Sequence, residues 1–257
     1  MRQTAVIEFV DYASSVPKVL DSIGAGPVIA KQRAILIKPN LVTNKPFPIT
    51  TPPECCEAII DYIISFSKAP VVIAEGIGDP EYTTMEVFET LGYTQLASRK
   101  KVSLADLNNE PLMRLDNSEC PRFPEFFMPV IAMNHFIISV PVLKAHLLST
   151  FTGTLKNMIG LAPPKHYAGN GGIWNKAEFH IDIHQAIVDL NRYRTPDLTV
   201  LDASVGMAQS HLGGPVCNPP VKRLVAGFDP VATDRTAAEL LNLDWRTIGH
   251  LSGDIGG

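Results

Sequence analysis

The sequence predicts a three-layer α/β/α domain built on a mostly parallel, mixed sheet. Apolar runs of strand length alternate along the chain with stretches of helical periodicity, which is the order of βαβ units. Several runs, such as AILI, PVVIA and FIISV, are apolar at consecutive positions, as expected of strands that helices cover on both faces. Because 257 residues with 46% hydrophobic residues supply one sizeable core, we expect residues 1–257 to form a single domain.

The expected strands are apolar or β-branched runs bounded by turn residues. They are Ala5–Val10, Ala34–Lys38, Val71–Glu75, Val102–Leu107, Phe126–Met133, Phe136–Leu143, Leu198–Asp202 and Leu224–Phe228. Only Asn134 and His135 separate the fifth and sixth runs, which predicts an antiparallel hairpin within the sheet.

The expected helices carry periodic apolar residues, and three of them begin at recognisable caps. They are Val16–Ile23, Pro52–Phe66, Thr84–Leu91, Thr152–Ile159, Ile181–Arg192 and Pro230–Leu241. The sequence T-P-P-E at residues 51–54 places a capping threonine before two prolines and a glutamate, as a helix start requires. Thr83 with Glu86, and Asp229 before Pro230, predict two further helix starts in the same way.

Composition and charge disfavour several classes of function. A net charge of −4 gives no basic field that would attract nucleic acid. No run approaches the ~20 apolar residues of a membrane span, and the acidic N-terminal segment is atypical of a signal peptide. We therefore expect a cytoplasmic protein that binds neither nucleic acid nor membrane.

The four cysteines contain no C-x-x-C unit of the kind that holds zinc or an iron–sulfur cluster. They are Cys55, Cys56, Cys120 and Cys217. Free buried thiols in a reducing compartment are the expected state, with a single reactive or metal-binding thiol as the alternative.

Polar residues stand at the ends of four predicted strands. They are Lys38 with Asn40, Glu75, Lys144 with His146, and Asp202. In a parallel sheet these ends share one edge, where the ligand crevice of an open α/β fold lies. The members of each pair are two positions apart, so in extended chain they point the same way.

The segment after the third of these strands adds Thr152, Lys156 and Asn157, with Thr152 and Lys156 one turn apart on the predicted helix. With Lys38 and Lys144 they predict a cationic pocket that suits a phosphate or carboxylate. The P-loop and dinucleotide fingerprints are absent, so the pattern indicates an anion without naming a nucleotide.

His180 and His184 lie four residues apart. On a helical wheel both fall within the arc of Ile181, Ile183, Ile187 and Val188, so we expect both to face inward. Three interpretations stay open for the pair: ligands of a divalent metal, acid–base groups, or hydrogen-bonded core residues. The Gly-rich stretch from Pro163 to Lys176 is interpreted either as a lid over the site or as a simple connector.

The motifs I-K-P-N near residue 37, V-P-V-L-K-x-H at 140–146 and T-G-x-L-K-N-M-x-G at 152–160 resemble the uncharacterised family catalogued as domain of unknown function 362. The motifs P-D-L-T-V-L-D-A at 196–203 and G-F-D-P-V-A-T-D at 227–234 resemble it too, so the resemblance spans roughly residues 34–242. The family pattern falls on Lys38, Asn40, Glu75, Lys144, His146, Lys156, Asn157, Asp202, Asp229 and Asp234.

What the resemblance implies is limited, because no general reaction is established for the family. Some relatives carry ferredoxin-type iron–sulfur modules, and this chain lacks the cysteines that such modules use. The chain departs from the pattern at Ala208–His211, which stand before Gly213 where relatives place an acidic residue. Relatives also continue past the position of His250.

We therefore expect an enzyme that binds a small anionic substrate. The expected catalytic residues are Lys144, His146, Lys156, His180 and His184, and the expected substrate-binding residues are Lys38, Asn40, Glu75, Thr152, Asn157 and Asp202. A non-catalytic metabolite- or cofactor-binding protein and a metal- or cluster-handling redox protein are the alternatives. The sequence leaves the reaction, any cofactor and the oligomeric state open.

Overall fold

The computed structural model describes residues 4–169 and 174–253. The strands in these ranges are Ala5–Glu8 (β1), Ile35–Pro39 (β2), Val71–Glu75 (β3), Ser103–Asp106 (β4), Leu112–Asp116 (β5), Glu125–Pro129 (β6), Phe136–Val140 (β7), Val142–His146 (β8), Thr150–Thr152 (β9), Leu198–Met207 (β10) and Arg223–Gly227 (β11). The α-helices are Tyr12–Ser22 (α1), Ala25–Ile29 (α2), Pro53–Phe66 (α3), Thr84–Thr90 (α4), Tyr93–Lys100 (α5), Val130–Asn134 (α6), Thr154–Asn157 (α7), Pro164–Tyr167 (α8), Ile183–Tyr193 (α9), Pro230–Glu239 (α10) and Gly249–Ser252 (α11). Short 3-10 turns occupy Met158–Leu161, Ala177–His180 and Trp245–Thr247.

A central sheet has the strand order β1-β11-β10-β7-β2-β3-β4, with the β8–β9 hairpin attached beside β10. The neighbours from β10 to β4 are all parallel, whereas β11 is antiparallel to both β1 and β10. The prediction of a mixed, mostly parallel sheet is therefore confirmed. Strands β2, β3, β7 and β10 point the same way, so their carboxyl ends share one edge.

Helices cover both faces of this sheet. On one face α1, α2, α3 and α5 pack together, and on the other α7 contacts α9 and α10 while α11 lies against α9. Successive residues of β2 pack into apolar clusters on opposite faces of the sheet. Ile35 and Ile37 belong to one cluster, and Leu36 belongs to the other. This alternation explains the uninterrupted apolar runs, and the three-layer prediction is confirmed.

The prediction of an antiparallel hairpin at residues 126–143 is wrong. Strand β6 ends at Pro129, and the next five residues form α6. Strand β6 pairs with β5 in a separate two-stranded sheet, and β7 lies between β2 and β10. Both edges of β7 are thus occupied by parallel partners, which leaves none for β6.

The predicted strand Phe136–Leu143 divides at Pro141, and β8 turns away to pair with β10 and β9. Lys144 and His146 consequently lie inside β8. The predicted helix Thr152–Ile159 is also wrong at its start, because Thr152 pairs with Lys144 in the β8–β9 hairpin and α7 begins at Thr154. Thr152 and Lys156 therefore do not share a helix face.

The prediction that His180 and His184 face inward from one helix is wrong. Asp182 accepts a hydrogen bond from the backbone N–H of Gln185 and caps α9, so His180 lies outside that helix in a 3-10 turn. Ile181, expected in the core, is 70% exposed. The capping aspartate stops the helical geometry that the wheel assumed. Among the described helices, none is long and apolar enough to span a membrane.

Candidate functional site

A cavity of about 280 Å³ opens at the carboxyl ends of β2, β3 and β8, in front of α7. Its position is the one that the ligand crevice takes in open α/β sheets. Its wall combines apolar, glycine and titratable residues. They are Asn40, Leu41, Val42, Glu75, Gly76, Gly78, His146, Leu147, Leu148, Lys156, Asn157, Ile159, Gly160, Trp174, Lys176, His180, His211 and Leu212.

Lys38 and Glu75 form a buried ion pair beneath this cavity. Lys38 Nζ lies 2.6 Å from Glu75 Oε1, and both residues are buried. Glu75 also accepts hydrogen bonds from the backbone N–H groups of Leu41 (3.2 Å) and Gly76 (2.8 Å). Because the Glu75 carboxylate makes all of these contacts, the ion pair holds the ends of β2 and β3 together. Glu75 lines the cavity, whereas Lys38 lies behind that wall.

Lys144 is anchored in the same way, although its partners are neutral. Its Nζ donates to Asn40 Oδ1 and, over 2.8 Å, to the carbonyl oxygen of Ile49. The side chain is 1% exposed and lies behind the cavity wall. Burial, reinforced by the charge of nearby Lys156, lowers the pKa of Lys144 to about 7.

Helix α7 brings Lys156 into the cavity, and α10 fixes the position of that helix. Asp234 of α10 accepts hydrogen bonds from the backbone N–H groups of Thr154 (2.7 Å) and Leu155 (3.0 Å). A side chain at Gly153 would overlap the Asp234 carboxylate, which explains the glycine of the T-G-x-L-K-N motif. Burial raises the pKa of Asp234 to about 7.

Lys156 has no hydrogen-bond or ion-pair partner in the part of the chain that the structure describes. Its side chain is half-buried in the cavity wall. Burial lowers the pKa of Lys156 to about 8. An amine that is withdrawn from water and has no carboxylate beside it is an unusual feature for a structural lysine.

Asn157 and Gly160 continue the wall beyond Lys156. The Asn157 amide donates to the Lys38 carbonyl (3.1 Å) and to Ser139 Oγ (3.0 Å), while its buried Oδ1 has no partner among the described residues. A side chain at Gly160 would overlap both Glu75 and Lys38. Glycine is therefore required where the turn after α7 crosses the buried ion pair.

His146 presents a fixed N–H group to the cavity. Its Nδ1 accepts hydrogen bonds from the backbone N–H groups of Leu148 (3.1 Å) and Ser149 (3.2 Å), so the ring proton lies on Nε2. The His211 ring stacks on it with centroids 3.9 Å apart. Burial and the charge of Lys156 lower the pKa of His146, and the same causes lower that of His211 to about 3. Both rings are therefore neutral at physiological pH.

Trp174 and Lys176 close the cavity from the other side. Trp174 lines it, and Lys176 donates to Asn108 Oδ1 and to the Gly160 carbonyl, each over 3.0 Å. Burial lowers the pKa of Lys176 to about 7. The predicted lid falls partly outside the described residues, so its movement stays a prediction.

His180 and His184, although four residues apart, occupy different environments. His180 lines the cavity, and burial together with Lys156 lowers its pKa. His184 instead contacts His250 of α11, with their Nδ1 atoms 2.9 Å apart. Within the described residues no group of three or more His, Cys, Asp or Glu side chains is arranged to hold a metal ion.

Five residues predicted at the site lie behind the cavity wall or away from it: Lys38, Lys144, Thr152, His184 and Asp202. Asp202 lies within β10, where it accepts hydrogen bonds from Tyr12 Oη (2.6 Å) and the Ser204 backbone (2.8 Å). The hydroxyl of Thr152 is buried without a partner among the described residues. Any part these residues play in binding a ligand stays a prediction.

The cavity also contains residues that the sequence did not single out, chiefly Lys176, Trp174 and His211. All three lie in irregular segments without periodicity. Two signals were available. The lid interpretation of Pro163–Lys176 covers Trp174 and Lys176, and the departure from the family pattern at 208–211 falls on the segment that supplies the ring stacked on His146. The four cysteines are unpaired; three are buried and Cys217 is half-buried.

Comparisons with known proteins identify a family and a fold. The model described as domain of unknown function (DUF362) matches residues 35–239, and no curated protein matches the chain. The lactate racemase apoprotein from Thermoanaerobacterium thermosaccharolyticum is a similar solved structure, with a TM-score of 0.59 and 14% identity over 92% of this chain and 56% of that one. This chain thus spans little more than half of that protein, and the likeness shows the fold alone. Since the family model covers most of the chain and its motifs form the cavity wall, the chain belongs to the DUF362 family.

Proposed function

We propose that this protein is an enzyme that binds a small carboxylate- or phosphate-bearing substrate in the cavity in front of α7. The observation that carries the proposal is Lys156, a cavity-lining amine without a partner among the described residues. Lys176 adds a second amine to the wall, and the one carboxylate there, Glu75, is already engaged by Lys38. An anion that enters this cavity would supply the negative charge that the wall does not offer to Lys156.

The wall favours catalysis over simple storage of a ligand. Lys156 and Lys176, which both line the wall, have pKa values lowered to about 8 and about 7, close to the pH at which an enzyme works. His146 offers a fixed neutral Nε2–H toward the same space. A carrier protein needs charge and shape, whereas amines that gain and lose a proton near neutrality suit proton transfer.

The size of the cavity indicates a small substrate. A volume of about 280 Å³ lies just below the range of about 300–1,000 Å³ for ligand sites, so a short-chain acid fits better than a nucleotide. The name of the similar solved structure refers to lactate, itself a small carboxylate. Because that likeness concerns the fold, lactate enters only as one member of a test panel with acetate, pyruvate and inorganic phosphate.

Replacing Lys156 with methionine tests the proposal. We expect at least one acid of the panel to raise the Tm of the wild type, and Lys156→Met to weaken its binding by ~10–100-fold, because a charge-assisted hydrogen bond contributes about 1.5–3 kcal/mol. Titration calorimetry at pH 7 would measure the affinity. Methionine keeps most of the side-chain volume while removing the amine.

Lys68→Met is the matched control, because Lys68 is exposed just before β3, at the end of that strand opposite the cavity. Its affinity should equal that of the wild type. Equal affinity in Lys156→Met would contradict the proposed site. Binding without turnover of any panel member, in a protein that retains its ligand on dilution, would instead support the carrier alternative.

A further inference from the structure

We propose that Lys156 Nζ forms an imine with a carbonyl group of the substrate, so that the substrate class is a small oxo acid. This inference rests on the proposed function and deepens it, since it assigns covalent chemistry to the same cavity. Lysine amines act in this way where they reach a substrate carbonyl and lose their proton readily.

The geometry distinguishes Lys156 from the other buried lysines around the cavity. Lys38 is paired with Glu75, and Lys144 donates to Asn40 and the Ile49 carbonyl behind the wall. Lys176 lines the cavity but donates to Asn108 and the Gly160 carbonyl. Lys156 lines the cavity without a partner in the described part of the chain. No existing hydrogen bond therefore has to break before its amine attacks a carbonyl carbon.

The surroundings of Lys156 keep a useful fraction of its amine unprotonated. With a pKa of about 8, roughly a tenth of the amine is free at pH 7, whereas an ordinary lysine has well under a thousandth. Burial is the cause, because a charged amine is less stable where it is withdrawn from water. Free amine, not ammonium, attacks a carbonyl carbon.

The remaining wall offers the groups that an oxo acid needs. His146 Nε2–H can donate a hydrogen bond to the carbonyl oxygen and polarise it as a neutral donor. Lys176 and His180 lie in the same wall and can hold the acid group. Lys176 uses two of its three donor positions on the protein, which leaves one for an anion.

The step balances without a redox partner. The nitrogen lone pair forms a bond to the carbonyl carbon, and the C=O π electrons move to oxygen, which takes up a proton. The resulting carbinolamine then breaks its C–O bond and releases water. The two hydrogens that leave nitrogen and the former carbonyl oxygen make up that water, and the carbon stays at its original oxidation level.

Reductive trapping tests the inference directly. The wild-type protein is incubated with pyruvate, and separately with glyoxylate, in the presence of sodium cyanoborohydride. Intact-mass and peptide analysis follow. We expect one adduct per chain on Lys156, adding the mass of the probe acid less one oxygen atom. It should form on the order of a hundredfold faster than any adduct on exposed Lys68, because the fraction of free amine sets the rate.

Lys156→Arg is the decisive variant, since arginine keeps the positive charge but forms no imine with these probes. It should lose the adduct while retaining part of the affinity for acetate or phosphate. Labelling of Lys156 no faster than of Lys68 with both probes would overturn the imine and leave the anion site standing if Lys156→Met still weakens acetate binding. Absence of binding by every acid of the panel would instead overturn the proposed function itself.

Discussion

The two walls of the cavity treat their lysines in opposite ways. The strand wall, made of the ends of β2 and β3 with Lys144 behind them, gives each amine a partner: Lys38 meets Glu75, and Lys144 meets Asn40. The helix wall, made of α7 with His146 and His211, leaves Lys156 without a partner among the described residues. Apart from His211, the residues named in both walls belong to the positions that resemble the family pattern.

This difference separates the lysines that support the fold from the lysine that is available to a ligand. A lysine that already donates to a buried carboxylate lowers the energy of the fold, and removing it exposes an uncompensated charge. A lysine without a partner costs stability through desolvation, and a site tolerates that cost where a ligand compensates for it. The same residue type therefore predicts opposite responses to substitution on the two walls.

The largest expected effect comes from substituting Lys38. Lys38→Met leaves Glu75 buried without its cation and should lower the free energy of unfolding by about 3–5 kcal/mol. Lys156→Met should leave it unchanged or raise it slightly, since a desolvated amine is removed. Urea denaturation of both variants at pH 7 measures the contrast.

A double variant serves as the control for this contrast. Lys38→Met with Glu75→Gln removes both charges but keeps an oxygen that accepts from the Gly76 backbone. It should recover part of the stability lost in Lys38→Met. Similar losses in Lys38→Met and Lys156→Met would abolish the distinction between the two walls.

A second, smaller effect concerns the residue that anchors the helix wall. The folded-state pKa of Asp234, about 7, lies above its ordinary value of 3.8, so the folded protein holds a proton that the unfolded chain releases. This group therefore stabilises the fold most below about pH 4, and its contribution is lost as pH rises toward 7. Asp234→Asn should lack this component, so the Tm difference, variant minus wild type, becomes more positive with rising pH.

Thermal denaturation between pH 4 and 8 would measure that difference. Parallel curves for the two proteins would show that Asp234 keeps its ordinary protonation behaviour. Because Asp234 also caps α7, the asparagine variant should weaken acetate binding more than Lys68→Met does.

The smallest expected effect lies outside both walls, at His184 and His250. Burial lowers the pKa of both, and that of His250 falls to about 3 from an ordinary 6.5. The neutral pair contributes stability above about pH 6.5 that is lost as pH falls toward 3, because the unfolded chain takes up the protons. His250→Gln should reduce the acid sensitivity of Tm without changing anion affinity at pH 7. An unchanged slope of Tm against pH would contradict this role.

Local signals predicted some elements closely. The helix expected at Pro52–Phe66 runs from Pro53 to Phe66, as its proline-rich start predicts. Its N-cap is Pro52, however, because the hydroxyl of the predicted cap, Thr51, donates instead to the Val140 carbonyl. Strand β3 has the predicted bounds, since its apolar run is closed by a buried glutamate. The β8–β9 hairpin was missed because pairing with the extended part of β10 draws β8 away from β7.

At the candidate site too, the residues that local signals pointed to were predicted and the others were missed. Lys156 and His146 were expected at the cavity because they follow or end apolar runs at one sheet edge, and both line it. Lys176 and His211 belong to irregular segments, so no periodicity pointed to them. His184 was expected beside His180, but the cap at Asp182 separates their environments.

The sequence by itself determined the layered α/β class, the shared edge of the strand ends and the family, since apolar periodicity and short motifs are properties of neighbouring residues. Only the tertiary structure decided which lysines have partners and which of them line the cavity. Residues 38 and 75, or 154 and 234, meet through folding rather than through proximity along the chain. The charge state and availability of a side chain depend on those distant partners, and no local pattern contains them.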